Sequence, residues 1–176
     1  LSSLSISIFG NTNIGYKLPA VILLWVGLWA LYSFTKLWYD HQRALIATLI
    51  FGSTQAFFLM TNDIRTDGIL TVFVLLSLYS ISLYLKSNRA VWLLLTGLCI
   101  GIAMLAKGPL GLIIPGVAIG GHLLLRGEWK KIFDLRWLLI LFPLCLVLAP
   151  MLYGLYMQFD LHAEKEVYGL KGPSGI

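Results

Sequence analysis

Apolar residues fill six stretches of the chain, 18–38, 44–62, 68–85, 90–106, 109–125 and 137–157, and short polar breaks separate them. Each stretch is close to the length, about 20 residues, that an α-helix needs to cross the hydrocarbon of a bilayer. The pattern predicts an all-α fold: a polytopic membrane helix bundle with about six transmembrane helices. Pro19 falls in the first turn of the first predicted helix, where its missing N–H costs nothing. Pro115 predicts a kink in the fifth, and Pro143 and Pro150 lie inside the sixth. Ahead of the spans, residues 1–9 read LSSLSISIF, too short to cross and suited to the end of an interfacial segment. Residues 10–17 read as a polar turn, and 158–176 as a polar, glycine-rich tail. The chain opens on Leu1 without a basic signal region and closes on Gly172-Pro173-Ser174-Gly175-Ile176, so a piece of a longer protein is expected.

Composition agrees with the membrane reading. The 176 residues are 59% hydrophobic and 12% charged, whereas a soluble domain is about 45–50% apolar and about 25% charged. Aromatic residues reach 13%, as suits a protein with many water–lipid interfaces. The basic residues are scattered over short loops, which gives no footprint for nucleic acid. Cys99 and Cys145 each sit in an apolar run without metal-ligand spacing and read as small hydrophobes.

Because successive spans alternate sides, the loops sort into two sets. One holds Lys36, Arg43, Lys86, Arg89, Arg126, Lys130, Lys131 and Arg136; the other holds Lys17, Arg65, Lys107, Lys165 and Lys171. The larger basic set is expected in the cytoplasm. Asp63, Asp67, Asp160, Glu164 and Glu166 then share the outer face with the Lys107-Gly108-Pro109 break.

The polar junction Thr61-Asn62-Asp63-Ile64-Arg65-Thr66-Asp67-Gly68 carries the chemistry. Asp63, Arg65 and Asp67 are the only charges between Arg43 and Lys86. Ionisable groups near membrane depth are expensive and are read as functional by default, although a turn that merely links two helices competes with that reading. Asp67 precedes Gly68 and the run Ile69-Leu70-Thr71, so it opens a helix. It is either an N-terminal cap favoured by the helix dipole or a general base at the mouth of a membrane cavity. Asp63 is the second candidate carboxylate. Arg65 is placed to neutralise a phosphate or hold a carboxylate. Lys107 either snorkels to the interface or binds phosphate beside the start of the next helix. His122 reads as a packed histidine rather than a ligand. Asp160, His162 and Glu164 are too loosely spaced for a metal site, and no metal is assigned.

These residues carry a resemblance. RTDGILTVFVLLSLY followed by LAKGPLGLIIPG, with GYKLPAVILLWVGLWALY ahead of them, resembles the membrane glycosyltransferases of family 39, which include protein O-mannosyltransferases and the lipid A aminoarabinose transferase. The resemblance implies a GT-C fold in a bacterial inner membrane, with a cavity on the outer face. It implies a polyprenyl-phosphate-linked sugar as donor, inverting transfer, and a lipid, glycan or protein as acceptor. A divalent metal finds no support in the residues. Asp67 matches the family's aspartate at the opening of a helix, and Lys107 matches the lysine of its Lys-Gly-Pro motif. The family's acidic pair in the first external loop has no counterpart between Leu1 and Ile176, so this stretch alone is expected to be inactive. A secondary transporter is the rival from another class, since Gly- and Pro-broken helices with charges suit it too; it predicts inverted repeats, and the sequence shows none. A non-catalytic scaffold is the third reading, and it predicts that Asp63, Arg65 and Asp67 are replaceable.

Overall fold

The computed structural model describes residues 13–62, 66–128, 131 and 134–159. Among them no strand occurs, and the all-α expectation holds. The order is α1 Asn13–Trp38, α2 His41–Gly52, α3 Gln55–Asn62, α4 Thr66–Ser87, α5 Val91–Lys107, α6 Leu110–Leu125, a 3-10 segment Leu135–Ile140, and α7 Leu141–Phe159.

Three stretches are long and apolar enough to cross a membrane: Lys17–Trp38, Thr66–Ser87 and Leu135–Met157. A fourth is reached if α2 and α3 count as one bent span. α5 and α6 have 17 and 16 residues. The chain is thus an integral membrane helix bundle, with fewer full-length spans among the described residues than the six predicted.

Three local expectations are revised. α1 starts at Asn13, so part of the predicted polar turn is helix and Pro19 lies beyond the first turn. Polar residues do not prevent helix formation at an end that projects past the apolar run, so the helix starts ahead of the candidate span Lys17–Trp38, which keeps the predicted bounds to within one residue. The predicted span 44–62 is two helices that meet at 63°. The break falls at Ser53-Thr54: Ser53 N–H bonds the Leu49 carbonyl at 2.9 Å, Thr54 N–H bonds the Phe51 carbonyl at 3.2 Å, and Thr54 Oγ1 accepts from Phe57 N–H at 3.3 Å. A hydroxyl that can cap a new helix makes this interruption favourable in spite of the hydrophobic run. The last span begins as a 3-10 segment, where Asp134 Oδ1 accepts from Arg136 N–H at 3.0 Å. Pro143 then falls in the first turn of α7, where an absent N–H is harmless.

α4 and α5 form the centre. α4 packs on α1, α3, α5 and α6, while α5 packs on α4, α6, the 3-10 segment and α7. Small residues make this possible. Ser77, Ser80 and Ser82 of α4 are buried, and each donates to a carbonyl one turn back, on Val74, Leu76 and Leu78. Their hydroxyls are satisfied within their own helix, so they can line a dry seam as Ala or Gly would. On α5, a Cβ at Gly97 would stand 2.6 Å from Pro143 Cγ, so only glycine lets α7 approach there. Tyr84, Leu93, Ile100, Ile140 and Leu144 make one apolar cluster; Ile81, Ile119 and Leu123 make another. Trp25, Leu49, Val117 and Phe142 stay exposed, as side chains facing lipid do.

The bundle has two chemically different ends. Lys86 Nζ donates to Leu37 O, Lys86 and Arg126 both lie against Trp38, and Arg136 bonds Asn88. These contacts gather Lys36, Arg43, Lys86, Arg89, Arg126, Lys131 and Arg136 at one end. Lys107 and Asp67 occupy the other, and Lys17 joins them because α1 runs parallel to α4: Gly27 meets Val72, while Trp38 bonds Ser82. Among the described residues, the packing therefore separates the same two basic sets that the loops do.

Candidate active site

Asp67 and Lys107 come together. Asp67 lies in the first turn of α4 and Lys107 in the last turn of α5. The two helices are antiparallel neighbours, so residues far apart in sequence meet at one end of the bundle. Lys107 Nζ and Asp67 Oδ1 form an ion pair. Each charge also suits its own helix: a carboxylate at an N-terminus and an ammonium at a C-terminus both oppose the local macrodipole. The side chains are 36% exposed at Asp67 and 43% at Lys107. The pair is therefore reachable from the aqueous side, and its strength is moderated by solvent.

Neighbouring backbone fixes the pair. Thr71 Oγ1 donates to the Asp67 carbonyl at 2.8 Å. Gly68 is buried beside Leu24 of α1 and Met60 of α3, so three helices converge beneath the carboxylate. On the other side, Gly108 ends α5 with φ 65° and ψ −139°, a conformation essentially confined to glycine. Its N–H bonds the Met104 carbonyl at 2.7 Å. This turn lets Pro109 lead straight into α6 while Lys107 stays on the bundle end.

The turn corrects one element of the sequence reading. The sequence predicts Lys107 beside free N–H groups opening the next helix. It belongs instead to the preceding helix, and Gly111 and Leu112 N–H groups bond the carbonyls of Gly108 and Pro109 at 3.2 and 3.0 Å. Any phosphate here would be met by the ammonium rather than by those two amides. Asp63 and Arg65, the other candidates, lie outside the described residues, as do Asp160, His162 and Glu164. No group of three or more His, Cys, Asp or Glu side chains gathers as a metal site among the described residues. His122 packs edge-on against Trp38, with ring centroids 4.9 Å apart, in keeping with a packed histidine. The cluster of Lys86 and Arg126 around Trp38 was not legible in advance, since nothing in the spacing of three loops announces a shared indole.

A partly exposed carboxylate–ammonium pair at the end of an apolar helix bundle places this chain in the class of integral membrane proteins with charge held at the water interface. Residues 1–153 match the family of dolichyl-phosphate-mannose-protein mannosyltransferases, and the chain belongs to that family. It is also similar to two curated bacterial proteins. It is 30% identical over 152 residues to the undecaprenyl phosphate-alpha-4-amino-4-deoxy-L-arabinose arabinosyl transferase of Serratia proteamaculans, covering 82% of this chain and 26% of that protein. It is 29% identical over 125 residues to the corresponding transferase 2 of Proteus mirabilis, covering 68% of this chain and 22% of that protein. The chain thus spans about a quarter of the length of the curated relatives it matches. No solved structure matches.

Proposed function

We propose that this chain is the central part of a membrane glycosyltransferase that takes a sugar from a polyprenyl-phosphate-linked donor and gives it to a lipid, glycan or protein acceptor on the outer face of a bacterial inner membrane. The observation that carries the reading is the Asp67–Lys107 pair, joined by family membership and by relatives whose names specify an undecaprenyl-phosphate-linked sugar. In the proposed reaction an acceptor oxygen bonds to the anomeric carbon, the bond from that carbon to the donor phosphate breaks, and polyprenyl phosphate leaves. Lys107 meets the phosphate and offsets the charge that develops on it. That contact draws the ammonium from Asp67, whose carboxylate is then available to orient the acceptor or take its proton. Asp63 and Arg65 are adjacent in sequence and are proposed as secondary members of the site.

The reading is tested by transfer of labelled sugar from a polyprenyl phosphate donor by the full-length protein in nanodiscs. Asp67→Asn nearly keeps its melting temperature, because the partly exposed ion pair that it removes is worth at most about 1 kcal/mol, and it loses about 10²-fold or more in turnover. Lys107→Met weakens donor binding. A folded Asp67→Asn protein with near wild-type turnover refutes the assignment, and Asp63→Asn run beside it tests the alternative carboxylate.

The proposal includes six crossings, with α5 and α6 spanning as slightly short helices; their 17 and 16 residues cover about 24–26 Å at ~1.5 Å per residue. Position 107 faces outside and position 89 the cytoplasm. Single cysteines at these positions, in a background without Cys99 and Cys145, are predicted to react with an impermeant reagent in intact cells at 107 only. The reverse labelling overturns the arrangement.

A further inference from the structure

The basic end of the bundle carries a feature that the transfer reaction does not use. Trp38, at the end of α1, is held by a 3.1 Å hydrogen bond from its Nε1 to Ser82 Oγ. Two cations stack on its indole: Lys86 Nζ stands 5.4 Å and Arg126 Cζ 5.3 Å from ring centroids of Trp38. His122 packs on the same side chain. Beside this cluster a groove of about 450 Å³ runs between α1, α4 and α6. Its walls include Phe34, Leu78, Ala118 and Ile119, together with Trp38, His122 and Arg126 toward the helix ends.

Charge decides what suits this end of the groove. The carboxylates described at this end are each engaged by a sequence neighbour: Asp40 with Arg43, Glu128 with Lys131, and Asp134 with Arg136. Glu128 feels the field of Arg126, yet its ion pair is to Lys131. Among the described residues no carboxylate pairs with Lys86 or Arg126. The helix dipoles favour cations at the C-termini of α4 and α6, but they do not account for two cations against one indole beside an apolar groove. A cationic, aromatic-backed cluster beside a groove at the membrane boundary is what an anionic phospholipid requires: a phosphodiester between the cations, and an acyl chain along the apolar walls.

We propose that the Trp38–Lys86–Arg126 cluster and the groove beside it bind an anionic phospholipid of the leaflet on the basic side. This site is separate from the Asp67–Lys107 pair at the opposite end and does not depend on the transferase reading.

Native mass spectrometry of the delipidated full-length protein, titrated with phosphatidylglycerol or phosphatidylcholine, tests the proposal. Wild type is expected to bind phosphatidylglycerol more tightly by roughly tenfold or more, the scale set by two basic residues at an anionic surface. The preference disappears in Lys86→Gln/Arg126→Gln. It survives in Arg89→Gln/Arg136→Gln, which removes equal charge at the same end without touching the groove. Ala118→Trp, at an exposed position of the groove wall, leaves every charge in place and also weakens binding, which keeps the test decisive if the double charge variant fails to fold. Excess inorganic phosphate leaves lipid binding intact. The proposal is overturned if both double variants lose the preference equally, if Ala118→Trp binds as wild type does, or if inorganic phosphate displaces the lipid.

Discussion

The two ends of the bundle hold charge in opposite ways. At the basic end, ion pairs are local: Arg43 with Asp40, Lys131 with Glu128, Arg136 with Asp134. Each joins residues two or three positions apart, so it forms wherever the helix or turn forms and adds little tertiary information. At the other end a single described pair, Asp67–Lys107, joins two helices. It exists only once α4 and α5 have packed, and it sits at the exit of their shared seam. Local pairs decorate an interface with water, whereas a long-range pair at a seam is available to a ligand that competes for one of its members.

A double-mutant cycle gives the largest expected contrast. If Asp67 and Lys107 act as one unit on the substrate, the double variant Asp67→Asn/Lys107→Met turns over about as slowly as the worse single variant, because members of a catalytic unit are not additive. Asp40→Asn/Arg43→Gln, the same operation at the other end, leaves turnover unchanged and shifts stability by less than about 1 kcal/mol. Additive losses in the first cycle, measured by sugar transfer, remove the unit from the mechanism.

Backbone strain supplies the next contrast. Gly108 at the site end and Gly127 at the basic end both have positive φ, 65° and 70°, and nothing crowds a Cβ at either. Gly127 closes α6 with an N–H bond to Leu124 O; Gly127→Ala is expected to cost about 1 kcal/mol and to spare activity. Gly108, with ψ −139°, is less tolerant. Gly108→Ala is expected to cost about 1–3 kcal/mol and to reduce turnover as well, because the turn it distorts carries Lys107. Thermal melting together with sugar transfer separates the two effects; equal activity in both variants breaks the distinction between the ends.

What was legible in the sequence follows from the same physics. Long apolar runs predict helices because a lipid environment leaves the backbone no partner but itself, and the α4 region 68–85 was placed within two residues at each end. The bend at Ser53-Thr54 was hidden, since two hydroxyl residues inside an apolar run change hydropathy little while capping changes direction. Asp67 and Lys107 were each visible as isolated charges beside apolar runs. Their meeting depends on the packing of α4 against α5, in which Ser77, Ser80 and Thr96 are buried, and no single residue type announces that register. The cluster at Trp38 was invisible for a similar reason: its members come from three helices.

The smallest expected effect belongs to the local pairs, and pH exposes it. A hydrogen bond from Lys131 holds the Glu128 carboxyl below its usual range, with the charges of Lys131 and Arg126 adding to the effect. A carboxyl whose folded-state pKa is depressed contributes stability above its unfolded value, about 4.3 for Glu. That contribution is lost as pH falls through the folded-state pKa. Lys131→Met is therefore expected to lower the melting temperature slightly near neutral pH and to match wild type in acid, once Glu128 is protonated in both proteins. Turnover stays unchanged throughout, since the pair lies at the end of the bundle away from Asp67. A stability difference that persists unchanged at low pH assigns the effect of Lys131 to packing rather than to its charge, and a loss of turnover couples the two ends after all.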